Sequence, residues 1–345
     1  ALLKEFGFNT VGNWADWRMA QQAGFPYVRP LEFTPTRTAM IYRDFPDVFG
    51  PALEADAAAY AAQLQPTLGD PALVGYFLMN EPNWGFALDT PAEGMLFNTA
   101  QARTRDELGV WLPGRYGDDA GLCRAWGMRT SLAAVRRGRW GSGGEEITAA
   151  ARADLAAFST RMVEQLFSTL SRACKAYDPQ HLNLGARYYT VPPEWALAGM
   201  KSFDIFSINC YRQQVPAAEL AKIGAATGRP TLIGEWHFGA LDVGLAGSGI
   251  GYVATQAERG QAYRRYLETA AALPWCVGVH WFVLYDQSAL GRFDGENYNI
   301  GFLDVAHRPY AELAAAGRQA HARMYAVAAG REKPYDEAPV YFPPL

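Results

Sequence analysis

The chain has 345 residues, half of them hydrophobic, enough apolar material for one large core or two modest ones. A formal charge of −4 leaves no basic face for nucleic acid and no polybasic membrane signal. No run approaches the ~18 uninterrupted apolar residues that a membrane helix needs.

Taken in chain order, short apolar runs alternate with longer amphipathic segments, which predicts an α/β fold on parallel strands. Ala1 to Phe6 reads as the last turns of a helix. Strands are expected over 8–14, 27–33, 73–79, 182–189, 205–211, 231–236 and 277–284, and helices over 53–64, 149–176, 217–227 and 256–273. Several of these strands are near-continuous apolar runs, as expected when both sheet faces are covered. Seven strands are one short of a (β/α)8 TIM barrel, and the simplest account places the first barrel strand before residue 1. The longest break in the rhythm is 83–144, an insertion carrying Tyr116, Trp126 and Trp140 and closing on a flexible Gly141-Ser142-Gly143-Gly144 turn. It is too aromatic for a disordered loop. The expected organisation is one catalytic barrel over 1–330 and an extended, Pro-rich tail over 331–345.

Glu81 and Glu235 carry the chemistry. The first closes the run Leu73 to Met79 and continues Asn80-Glu81-Pro82; the second closes Pro230 to Gly234 and continues Glu235-Trp236-His237. Two carboxylates at equivalent ends of two strands are what retaining glycoside hydrolysis uses, one as acid/base and one as nucleophile. The alternative is a pair of solvated loop glutamates. Glu81 is the better acid/base, with Asn80 placed to donate to a sugar hydroxyl, and Glu235 the better nucleophile. Tyr211 either gives its phenol hydrogen to Glu235 or finds a backbone partner. His237 is either a substrate contact or a structural histidine. Trp281, on the last strand, is either the floor beneath the sugar being cleaved or core; Trp14, Trp84 and Trp236 also fall at strand ends and are candidates to line further subsites. In the polar segment 291–301, Glu296 and Asn297 suit a specificity loop.

Neither the five His nor the four Cys show ligand spacing, so no metal or cofactor is expected and the thiols are expected free and buried. Aromatic residues make up 13% of the chain, a content that suits a poly- or oligosaccharide as the partner, although core filling by large side chains accounts for most of them.

These motifs together resemble the clan A glycoside hydrolases, and the C-terminal third resembles glycoside hydrolase family 50, the β-agarases. The resemblance is carried by Ile233 to Asp242, by His280-Trp281-Phe282 running on through Tyr285-Asp286-Gln287, and by Gly295 to Phe302. Phe8 to Trp14 is similar to the family's second-strand segment. Pro82 departs from the family, whose agarases usually carry Leu after the acid/base Glu. The resemblance implies a TIM barrel cutting β-1,4-galactosidic, agar-type bonds, with Asn13, Trp84, Asp286, Glu296 and Asn297 added to Asn80, Tyr211, His237 and Trp281 as substrate contacts. Another β-galactosidase or β-glycosidase of the clan, and a carbohydrate-binding barrel without catalysis, are the alternatives. Secreted or periplasmic location and oligomeric state are left open.

Overall fold

The computed structural model describes residues 1–140 and 147–342, so the Gly141–Gly144 turn and the last three residues of the tail lie outside the described residues. Contacts divide the chain into two compact units: Ala1–Arg29 with Pro71–Gly75 and Ile205–Leu345, and Pro30–Asp70 with Tyr76–Asp204.

The first unit is built on three parallel strands, with Thr231–Trp236 between Phe206–Asn209 and Cys276–Trp281. Parallel neighbours need long crossovers, and here each crossover is a helix, Ala217–Thr227 and then Gln256–Ala271. The first stops at Gly228, whose φ of 68° lies in the left-handed region glycine enters at no steric cost. The second starts with a capping box, in which Thr255 accepts from the Glu258 N–H and the Glu258 side chain returns to Thr255. All six residues of the central strand are buried, as a strand covered on both faces must be. Helix Ala311–Ala328 packs on Gln256–Ala271, and the tail continues to Tyr341–Phe342, which pairs antiparallel with Tyr252–Val253.

Two strand expectations in this unit need correction. Residues 8–14 form no ladder, only a single parallel bridge from Val11 to Tyr27. Asn9 there spends its amide on the Tyr325 hydroxyl, and Gly12 and Asn13 are poor strand formers. The last strand ends at Trp281 rather than at 284.

In the second unit, Met79–Asn80 pairs parallel with Ala186–Arg187, so that Asn80 stands opposite Arg187. The expected strand over 182–189 is two short pieces, Leu182–Asn183 and Ala186–Arg187, separated where Gly185 takes a φ of 76°. The insertion after Glu81 is helical: Pro91–Asn98, Arg103–Tyr116, Asp119–Trp126 and Leu132–Arg136. Thr90, Asp118 and Ser131 cap three of these helices with their side chains. Of its aromatic residues Trp126 and Trp140 are buried and Tyr116 half-buried. Trp126 and Trp140 meet edge-on at 6.2 Å, and Trp126 and Tyr116 both donate to Asp154 of the long helix Ala149–Tyr177.

The eight-stranded closure of a TIM barrel is not among the sheets of the described residues. The α/β class is: parallel strands, helical crossovers and buried central strands.

Candidate active site

Glu235 owes its direction to a bulge. Ile233 faces Ile208 and Glu235 faces Asn209, so Gly234 is an extra residue against one neighbouring strand; against the other, Val279 faces Ile233 and Trp281 faces Trp236. An extra residue re-aims the side chains that follow it. Here Trp236 turns toward Gln256–Ala271, stacking on Tyr266 at 4.4 Å. Glu235 is buried, with both carboxylate oxygens accepting: the Trp14 indole N–H donates to Oε1 at 2.6 Å and the Tyr211 hydroxyl donates to Oε2. Two donors from separate segments fix the carboxylate plane, as an attacking oxygen requires. Of the two readings of Tyr211, the contact with Glu235 is the one observed.

His237 is 3% exposed and its Nε2 accepts from the Ile250 N–H at 3.0 Å. That bond leaves the proton on Nδ1. The imidazole packs 4.7 Å from the Tyr211 ring, and a Cβ on Gly249 would come within 2.5 Å of Nε2, so a glycine is needed there. Through Nε2 and its ring this histidine fixes the 249–250 turn and backs Tyr211, while Nδ1 is buried with no hydrogen-bond partner among the described residues. Burial, with the nearby Arg259 charge second, pushes its pKa down from 6.5 to about 3. Between those two values the unfolded chain binds the proton and the folded one does not, so stability falls as pH is lowered through the window. His237 should contribute a slope of at most about 1.4 kcal/mol per pH unit. Urea melts at pH 7, 5 and 4 should show this loss, and His237→Gln should flatten it; equal slopes in the two proteins would contradict it.

Trp281 is half-buried and tied by its indole N–H to the Ile300 carbonyl at 3.0 Å. Its ring meets Trp236 at 4.7 Å and Tyr263 at 5.1 Å, so core packing supports it from behind. Asp286 is tied into the structure through both carboxylate oxygens. It accepts from the Tyr310 hydroxyl at 2.6 Å and the Gly301 N–H at 2.9 Å. Burial pushes its pKa up, and these bonds and Arg259 pull it back. Arg259 itself, fully buried, joins the Phe238 and Gly301 carbonyls to Gln256. Glu296 accepts from Gln287 at 2.7 Å and pairs with Arg292 at 2.8 Å, while Asn297 is half-buried next to it. Asn13 is buried and neither amide atom has a hydrogen-bond partner among the described residues. An unsatisfied buried amide costs on the order of 1–3 kcal/mol, which makes Asn13 the candidate contact with most to gain from a ligand.

In the second unit, Glu81 follows Asn80 with a φ of 45°, a left-handed backbone that glutamate rarely adopts. The strand has broken by this point, as Pro82 leads one to expect. Its N–H still reaches the Arg187 carbonyl at 2.8 Å. Arg187 is the residue that sequence reasoning missed. It is fully buried, its guanidinium lies 5.0 Å from the Phe77 ring, and its NH1 donates to Asn80 Oδ1 at 2.9 Å. That bond fixes Asn80 Oδ1 as the acceptor and turns the amide nitrogen the other way. The available signal was an arginine inside an apolar strand, where charges are rare unless employed. Trp84 is corrected: it is fully buried among Phe45, Phe167, Tyr188 and Trp195 and presents no face to a ligand. The four cysteines are free, Cys174 and Cys210 buried and the other two half-buried.

Parallel strands with helical crossovers, and glutamates where strands end, fit the glycoside hydrolases. The chain is similar to β-agarase A of Vibrio sp. (strain JT0107), 31% identical over 94% of this chain and 35% of that protein. β-Agarase B of the same strain is 28% identical over 93% of this chain and 35% of its own length. Among solved structures, an exo-β-agarase superposes with a TM-score of 0.85 at 29% identity, covering 94% of this chain and 47% of that one. No family model matches the chain. The resemblance to the family 50 β-agarases, and through them to glycoside hydrolases, is thus shown along nearly the whole chain, which spans about a third of the length of the curated relatives it matches.

Proposed function

We propose that this chain is a retaining glycoside hydrolase on a (β/α)8 scaffold, cleaving β-1,4-galactosidic bonds of an agar-type poly- or oligosaccharide. The observation that carries the reading is Glu235, a buried carboxylate at a strand end with both oxygens oriented by donors. The named activity of the similar β-agarases supports the substrate class. In the first step a Glu235 oxygen forms a bond to the anomeric carbon as the bond to the leaving oxygen breaks, and Glu81 gives that oxygen its proton. In the second, Glu81 takes a proton from water, and the water oxygen displaces Glu235. Asn80 donates from its amide nitrogen to the hydroxyl next to the reacting carbon. Trp281 supplies the apolar floor, and Asn13, Glu296 and Asn297 contact neighbouring hydroxyls.

Arg187→Met tests the Asn80 part. It keeps the packing on Phe77 but removes the bond to Asn80 Oδ1, so kcat/KM should fall about ten-fold or more. An unchanged kcat/KM in a folded variant would remove Asn80 from the mechanism. The reading as a whole is tested by hydrolysis of agarose, neoagaro-oligosaccharides and aryl β-glycosides, with products identified by mass. Release of neoagarobiose supports the full proposal, and turnover only of other β-glycosides moves the substrate. Saccharide binding without turnover leaves a carbohydrate-binding barrel.

A further inference from the structure

Two tryptophans three residues apart in the first unit have opposite environments. Trp17 is half-buried, stacked on Tyr27 and capped by the Arg29 guanidinium at 4.4 Å, so packing accounts for it. Trp14 is 53% exposed. Packing does not account for a large aromatic left in water, yet its indole N–H lies 2.6 Å from Glu235 Oε1. The segment is held at both ends, by the Val11–Tyr27 bridge and by Asp16, which caps helix Trp17–Gln22.

The chemistry of the indole suits this placement. Its N–H only donates and carries no charge. It can therefore fix the orientation of a carboxylate without the neutralising charge that Arg or Lys would bring. The rest of the ring is flat and apolar, on a residue that is 53% exposed, the shape that stacks on the C–H face of a pyranose. A sugar whose anomeric carbon lies about 3–3.5 Å from a Glu235 oxygen would come within reach of that ring.

We propose that Trp14 has two roles: a positioning residue that orients Glu235, and a second apolar face, in addition to the Trp281 floor, for the sugar that Glu235 attacks. The proposal rests on the hydrolase reading above. It separates into two halves, because Trp14→Phe keeps a ring and loses the N–H, whereas Trp14→Ala loses both. With neoagarotetraose as substrate, Trp14→Phe should lower kcat about 10- to 100-fold, as loss of a hydrogen bond to a charged group would. Its KM should stay within about two-fold, since an aromatic ring remains to stack on the sugar. Trp14→Ala should show the same fall in kcat and, in addition, a KM raised about ten-fold.

Both variants remove a donor from the buried Glu235 carboxylate, so both should fold and melt somewhat below wild type, by about the same amount, and melting curves check this. Wild-type kcat in Trp14→Phe overturns the positioning role, and wild-type KM in Trp14→Ala overturns the second apolar face. Wild-type protein and Glu235→Gln run alongside keep the cases apart. If wild type turns over saccharide and the Trp14 variants match it, this proposal alone fails. If wild type neither binds nor cleaves saccharide, the hydrolase reading fails and takes the proposal with it.

Discussion

Glu235→Gln is expected to lower turnover on the order of 10⁴-fold or more, as removal of a nucleophile does, while saccharide affinity is retained. An amide oxygen does not form a stable ester with an anomeric carbon, so the first chemical step is lost. The substitution is nearly isosteric, but it is not neutral for the surroundings. Trp14 and Tyr211 both donate to this group, and the amide nitrogen can accept from neither. The amide oxygen keeps the Trp14 N–H and the Tyr211 hydroxyl turns to accept from the NH2, so two hydrogen bonds to a charged group are exchanged for two weaker neutral ones. The variant should therefore melt somewhat below wild type and still fold. Binding of neoagaro-oligosaccharide by calorimetry, beside kinetics on the same preparation, checks both halves. Residual turnover within ten-fold of wild type would remove Glu235 as the nucleophile.

Glu81→Ala should give a fall that depends on the leaving group. For an oligosaccharide, whose leaving sugar oxygen must be protonated, loss of the acid should cost about 10²–10⁴-fold. For an aryl glycoside with a good leaving group the first step needs no proton. The second step still lacks its base, so the glycosyl-enzyme should accumulate as a burst followed by slow turnover. Added azide, a nucleophile that needs no deprotonation, should restore the rate and yield the β-glycosyl azide. Equal losses on both substrates with no azide effect would mean that Glu81 acts on binding or folding. Alanine keeps the Cβ, so the left-handed backbone at φ 45° stays strained in the variant, and a melting curve separates loss of the acid from loss of the fold.

Where the chain was legible, the signal was local. Thr231–Trp236 and Ala217–Thr227 have the bounds expected from an unbroken apolar run and from the glycine stop at Gly228. Residues 8–14 have strand composition but surrender the ladder to Asn9, Gly12 and Asn13. The helices of the insertion were hidden because Arg103–Tyr116 contains Gly109 and Pro113 and has a weak amphipathic period, even though Thr90-x-x-Glu93 is a readable capping box. At the site, Glu235 and Tyr211 could be found because each ends an apolar run. The Trp14 bond to Glu235 spans 221 residues of sequence, and the Arg187 bond to Asn80 spans 107. No periodicity encodes either pairing. The Asp286 bond to Tyr310 was hidden for a related reason: a carboxylate near a strand end looks alike in sequence whatever hydroxyl it accepts from.

The most direct test of the central claim is the anomeric configuration of the first product, followed by proton NMR before mutarotation, with a neoagaro-oligosaccharide or an aryl β-galactoside as substrate. Double displacement through Glu235 predicts that the β-anomer appears first and decays toward equilibrium. The α-anomer appearing first would mean a single displacement by water, and would contradict a covalent role for Glu235.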